Sequence, residues 1–194
     1  GRLKGYTTVG DGYRFALETA EIPLQGKVLI LGSGGVSRVM ALESLLAGCE
    51  VAVAARSPEK AQKMAEEMFA ASGCKASVLS LEQLEETAGE RSFDLVANGT
   101  PLGMYPHPCG TPVSLSVLSS CACAFDAVYN PADTLFLQQA RQTGARTAGG
   151  MSMLVGQAAA AHRIWDGSIY AKEELLRLCE EAQKEMHRVF GGKG

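Results

Sequence analysis

The feature that most constrains this chain is KVLILGSGGVSRVM, residues 27–40, where a cluster of glycines follows a continuous apolar run. A short run of Val, Leu and Ile without alternation describes a strand buried on both faces, the environment of a strand inside a parallel sheet. Beyond the glycines, VSRVMALESLLAG carries Val36, Val39, Met40 and Leu46 at helical spacing and stops at Gly48, a suitable residue just past a helix end. Strand, tight turn and helix in that order form the first half of a β-α-β unit.

The same alternation continues along the chain. CEVAVAARS (49–57) reads as a second strand, SPEKAQKMAEEMFAASG (57–73) as a helix with Ser57 at the N-cap and Pro58 at N1, and KASVLSL (75–81) as a third strand. LEQLEETAG (81–89) reads as a short helix, and FDLVANGT (93–100) and ACAFDAVYN (122–130) as strands. TLFLQQARQTG (134–144) reads as a helix and ARTAGG (145–150) as a short strand or loop. Repeated β-α-β units predict an α/β fold, a doubly wound, Rossmann-like parallel sheet with helices on both faces and right-handed crossovers. MLVGQAAAAHRIW (153–165) is apolar on most faces and should cover the sheet or pack inside. KEELLRLCEEAQKEMHRVF (172–190) places Leu175, Leu178, Cys179, Ala182, Met186 and Val189 on one amphipathic stripe. The Pro-rich MYPHPCGTP (104–112) is the expected surface excursion.

Length and charge narrow the function classes. One domain is the expectation for 194 residues, and a net charge of −3 gives no electrostatic reason for nucleic acid or an anionic membrane. No apolar run approaches a membrane span of about 18 residues. The cysteines Cys49, Cys74, Cys109, Cys121, Cys123 and Cys179 show no CxxC spacing, which suits a reducing compartment, with the cytoplasm as the expected location. His107, His162 and His187 have no metal-ligand spacing, so no metal is expected. The chain opens without an initiator Met, and the reading expects a fragment.

The glycine turn matches G-x-G-x-x-G at Gly32, Gly34 and Ser37, with Gly35 as an extra glycine. The first glycine permits the turn, the second lets backbone N–H groups approach a pyrophosphate, and the third position needs a small residue for close helix–strand packing. Candidate cofactor contacts here are Gly32, Ser33, Gly34, Gly35 and Val36. The nucleotide is chosen where the second strand ends. An NAD site carries an acid there for the ribose hydroxyls, whereas VAVAARSPEK offers no acid but Arg56, Ser57 and Lys60. Arg56 suits a bidentate grip on a 2′-phosphate, with Lys60 a more flexible charge, so the cofactor expected is NADP. Asn-Gly-Thr-Pro at 98–101 ends another strand, at the carboxyl edge where ligands bind.

With GSGGVSR, AARSPEKA, DLVANGTPLGM, DAVYNPADTLFL and GGMSMLVGQAAAAHRIWDG in order, the chain resembles the dinucleotide-binding domain of shikimate dehydrogenases from about Gly5 to Gly167. The resemblance implies NADPH-dependent reduction of 3-dehydroshikimate to shikimate, a step of aromatic amino acid biosynthesis. It sets Arg56, Ser57 and Lys60 on the family's phosphate clamp, with Ala55 in place of an Asn. It also sets Asn98, Thr100 and Met104 beside the ribose and nicotinamide, Gly150 and Met153 near the nicotinamide, and Tyr129 and Gln157 toward the substrate. Taken alone, Met153 reads as core and Gln157 as a buried or capped polar group.

Ketone reduction also needs a proton donor beside the nicotinamide. The family supplies a Lys from a preceding substrate domain, in a motif that nothing here matches, and an Asp. In ungapped register GYTTVGDGY puts Val9 at the Asp position, while a shifted register uses Asp11, the single catalytic candidate. The organisation expected is a hinge segment and first helix over 1–20, leading in from a missing N-terminal substrate domain with which a small ring substrate is shared. A dinucleotide-binding domain over 21–167 and a C-terminal helix over 168–194 packing on it complete the chain. A quinate or other ring-alcohol dehydrogenase, and a non-catalytic NADP-binding module, remain as alternatives. The sequence leaves a homodimer open without requiring one.

Overall fold

A computed structural model describes residues 2–86 and 93–190. Its centre is a six-stranded parallel sheet: β1 (Lys27–Leu31), β2 (Glu50–Ala54), β3 (Ser77–Leu79), β4 (Phe93–Asn98), β5 (Cys121–Asp126) and β6 (Arg146–Gly149), in the order β3-β2-β1-β4-β5-β6. This is the doubly wound arrangement that the alternation predicts. Val28 to Leu31 and Leu95 to Ala97 are buried because helices cover both faces, which is why these strands read as unbroken apolar runs.

The helices are α1 (Val9–Thr19), α2 (Gly35–Leu46), α3 (Pro58–Ser72), α4 (Leu81–Glu86), α5 (Leu115–Ser119), α6 (Leu135–Gln142), α7 (Gly150–Trp165) and α8 (Lys172–Phe190). Two apolar layers hold them. One joins Tyr13, Leu17, Met40, Met64, Phe125 and Met153; the other joins Leu29, Leu84, Val96, Leu118, Phe136 and Leu137. Tyr13 stacks edge-on against Phe125 with ring centroids 5.2 Å apart, tying α1 to β5.

Several boundaries and faces differ from expectation. The expected helix over 81–89 is observed to Glu86, and residues 87–89 lie outside those described, as do 191–194 of the expected C-terminal helical segment. The inward face of α2 is Ser37, Met40, Ala41, Ser44 and Leu45, whereas Val36 and Leu46 are exposed. Close approach of α2 to the sheet favours small residues there, and the Ser44 hydroxyl is satisfied by donating to Met40 O at 2.8 Å. In α8 the buried side carries Leu175 and Cys179, continued by half-buried Ala182, Met186 and Phe190; Leu178 and Val189 face outward. α5 has no counterpart in the sequence reading. It is a single turn whose N-cap, Ser114, accepts from Val117 N at 3.4 Å.

Among the described residues no helix is long and apolar enough to cross a membrane, and no group of three or more His, Cys, Asp or Glu side chains could hold a metal ion.

Candidate functional site

Parallel register brings the strand ends into one row. Leu31 pairs with Ala54 and with Asn98, Asn98 with Asp126, and Asp126 with Gly149, so the segments after β2, β1, β4, β5 and β6 all leave the sheet along its carboxyl edge. Strand order reverses direction between β1 and β4, the place where a doubly wound sheet leaves a crevice. A groove of about 340 Å³ opens there. One wall is the turn Gly32–Ser33–Gly34, the second is Ala55, Arg56, Ser57 and Lys60, and the third is Thr100 with Leu102.

The turn is built as its glycines require. Gly32 has φ +100, a left-handed conformation that side chains resist, and an added Cβ would sit 2.8 Å from Ser37 Oγ and 3.0 Å from Thr100 Cγ2. Ser37 is fully buried and its hydroxyl donates to Leu31 O at 3.3 Å, so a small polar residue fills the third motif position without a loose donor. Gly34 is the N-cap of α2 and has no side chain to accept from the first amides. Those N–H groups are left for an anion at the positive end of the helix. Gly35 and Val36 form the exposed first turn behind them.

The second wall is cationic. Arg56 and Lys60 pair with no carboxylate among the described residues, whereas Arg38 on neighbouring α2 is tied to Glu67 of α3. Among the described residues no acid lines the groove. Ser57 stands at the N-cap of α3 but its side chain does not cap the helix, contrary to the role expected for it. Pro58 at N1 removes one orphan N–H of the first turn, and Ser57 lines the groove rather than capping the amides beyond it.

The third wall rests on a residue that does not line the groove. Asn98, expected beside the cofactor, is fully buried and is not among the residues that line the groove. Its Oδ1 accepts from Thr100 N at 2.9 Å and Thr100 Oγ1 at 2.7 Å, and its Nδ2 donates to Asp126 Oδ1 at 3.0 Å. Asp126 also accepts from Val128 N at 3.0 Å and from Thr134 Oγ1 at 2.6 Å. Burial raises its carboxyl pKa to about 6, with the hydrogen bonds from Thr134, Val128 and Asn98 pulling the other way. The sequence reading gives Asp126 and Thr134 no role, although both stand in DAVYNPADT. Their signal is an acid at a strand end followed by a helix-capping Thr eight positions later.

The other candidates divide. Met104 and Tyr129 are exposed on the loops after β4 and β5, which Tyr105 N joins by donating to Asn130 O at 2.9 Å. Met153 is buried in the core layer against α1. Gln157 is half-buried on α7 against α1, where a Cβ on Gly12 would come 2.6 Å from its Cγ. Asp11 is not brought to the groove. It bonds Arg14 at 3.2 Å and Arg163 at 3.4 Å in a separate cleft of about 200 Å³ between α1 and α7, and Val9 packs half-buried against the core.

Gly150 is buried at the start of α7, its N–H donating to Val128 O at 3.1 Å. An added Cβ would lie 2.6 Å from Ala127 C and 2.8 Å from Val128 C, and nearer still to the Ala127 carbonyl oxygen. Backbone cannot rotate away. Gly150→Ala is therefore expected to cost about 1.5 kcal/mol by overpacking, read as a lower urea midpoint with unchanged m; an unchanged midpoint would show that α7 shifts freely.

No family model matches the chain. It is 37% identical over 179 residues to the NADP(+) shikimate dehydrogenase of Methanosarcina acetivorans, an alignment that covers 91% of this chain and 63% of that protein. Its fold matches the crystal structure of shikimate 5-dehydrogenase from Thermus thermophilus, solved in complex with NADP(H) and shikimate, with TM-score 0.80 and 32% identity over 93% of this chain and 64% of that one. It also matches quinate dehydrogenase from Corynebacterium glutamicum in complex with NAD, with TM-score 0.79 and 28% identity over 92% and 63%. Over about nine tenths of its length the chain is therefore homologous to the shikimate dehydrogenases, and it spans somewhat less than two thirds of the curated relatives it matches.

Proposed function

We propose that this chain binds NADP(H) in the groove at the β1–β4 crevice, and that it is the cofactor-binding part of an oxidoreductase that interconverts 3-dehydroshikimate and shikimate. The observation that carries the reading is the wall after β2. Arg56, Ser57 and Lys60 stand where the adenosine ribose would end, without a carboxylate for free ribose hydroxyls. The α2 N-terminus and the Gly32–Gly34 turn would hold the pyrophosphate, which leads the nicotinamide along the row of strand ends toward Met104, Tyr129 and Gly150.

The bound cofactor supplies a hydride. This chain's residues bind and orient it. A proton donor for the carbonyl oxygen is not among them at the groove, and Asp11 is engaged by Arg14 and Arg163 elsewhere. We assign that proton, and most substrate contacts, to a substrate domain preceding residue 1. Residues 1–20 then form the hinge and first helix, 21–167 the cofactor domain, and 168–194 a helical segment laid on it. Val9, where the resembled motif has its Asp, favours the second reading of a quinate or other ring-alcohol relative, which the NAD-bound quinate dehydrogenase neighbour supports.

NADPH is expected to raise the thermal midpoint of the chain at concentrations where NADH does not, because a ligand bound to the folded state adds stability that grows with the logarithm of its concentration over its Kd. Equal protection by the two nucleotides would refute the NADP assignment. Neither nucleotide protecting would refute the groove itself.

A further inference from the structure

We propose that Asp126 is a positioning residue for the groove, fixing through the Asn98 amide the Thr100 segment that forms its third wall. The inference rests on the nucleotide-binding reading above but adds a residue that contacts no ligand. An Asn side chain can present its oxygen or its nitrogen to either neighbour, since the two ends have nearly the same shape. Here the choice is forced from both sides. Thr100 presents two donors, its N–H and its hydroxyl, and Asp126 presents a carboxylate oxygen, so Oδ1 must face Thr100 and Nδ2 must face Asp126.

The consequence reaches the groove in one step. Thr100 Oγ1 also accepts from Leu102 N at 3.3 Å, and Thr100 and Leu102 are the wall opposite Arg56. The Thr100 methyl packs where a side chain on Gly32 would be, so the same residue also closes the floor under the turn. Without the Asp126 oxygen, Asn98 Nδ2 would be a buried donor with no acceptor. It would be relieved by turning the amide, which sets N–H against N–H at Thr100, or by admitting water into the wall.

Asp126 also anchors structure outside the groove, through Val128 N and through Thr134, the N-cap of α6. The test separates the two roles. In Asp126→Ser the shorter hydroxyl still reaches the amide two residues on but not Asn98. Asn98→Ala breaks the same link from the other side, and serves if the first variant does not fold. Asp126→Asn keeps an acceptor toward Asn98. Thr134→Ala removes the bond to the other carboxylate oxygen and the α6 cap, leaving the Asn98 link whole.

On the full 194-residue chain, NADPH affinity is measured by fluorescence titration, and amide hydrogen exchange at Thr100 and Leu102 is measured without nucleotide. Asp126→Ser and Asn98→Ala should each weaken NADPH by about tenfold or more and speed exchange at both amides. Asp126→Asn and Thr134→Ala should stay within about threefold of the parent in affinity, although Thr134→Ala lowers the thermal midpoint. Equal weakening by Asp126→Ser and Thr134→Ala, or unchanged exchange at Thr100 in Asp126→Ser, would overturn the proposal. If the parent chain binds no NADPH while exchange still responds as described, the positioning role stands and the nucleotide reading falls. If the parent binds and Asp126→Ser and Asn98→Ala bind equally well, the reverse holds.

Discussion

Arg56→Ala should weaken NADPH binding by about 50-fold, the loss of one or two hydrogen bonds between charged groups, and leave NADH affinity unchanged. Arg56 follows Ala55 directly off the end of β2, its neighbours in the wall are Ser57 and Lys60, and among the described residues no acid shares the groove. Several ion pairs on this surface join helix to helix, as Arg38 to Glu67 and Lys172 to Glu18 at 2.9 Å, and they spend their charge on the protein. Arg56 does not. A guanidinium free of carboxylates keeps its donors for a phosphate, and its planar fork gives the two-point geometry an ammonium lacks. Lys60 remains in the variant, so the loss is partial, and Arg56→Lys should fall between. Because the wall is open to solvent, the NADPH preference should also shrink as salt rises. Equal losses for NADPH and NADH would mean that Arg56 holds the shared pyrophosphate or merely supports the wall.

How far the sequence foretells the molecule depends on the range over which each feature is decided. The strands are local facts: Val28 to Leu31 lie between two helical layers, so their composition alone marks them. The turn is local too, since Gly32 needs its φ of +100 whatever surrounds it. Arg56 is legible because a β-α-β unit fixes which residue leaves the end of the second strand. α2 is less so. Val36 and Leu46 look like core and are exposed, while Ser37 and Ser44 look polar and are buried, because distance to the sheet rather than hydropathy selects that face. α5 is too short to show a period. Asp11 offers an acid, but its partner Arg163 lies 152 positions away, and only the packing of α1 against α7 brings the two together outside the groove. The third wall is the least legible of all. Asn98 and Asp126 are 28 residues apart, and only the β4–β5 register sets their side chains against each other.

That pair also governs the pH response. The Asp126 carboxyl is fully buried, and its folded pKa of about 6 stands above its ordinary value of 3.8. A group whose pKa is higher folded than unfolded binds its proton more tightly in the folded state. Its contribution to stability is therefore complete below pH 3.8 and is lost as pH rises through about 6. Over that window the loss amounts to about 3 kcal/mol, at 1.36 kcal/mol per pKa unit. Other carboxylates titrate in the same range, so the effect is read as a difference between parent and Asp126→Asn, which cannot ionise and keeps an oxygen toward Asn98 and Val128. Urea midpoints at pH 4 and pH 7 should show the parent losing about 2 kcal/mol relative to the variant, since part of the contribution is already gone at pH 4. Two outcomes would count against this. A constant difference would mean that Asp126 has the same pKa folded and unfolded, its three donors having cancelled the cost of burial. A difference of opposite sign would mean that they exceed it, and that the carboxylate is stabilised as an anion beneath the groove.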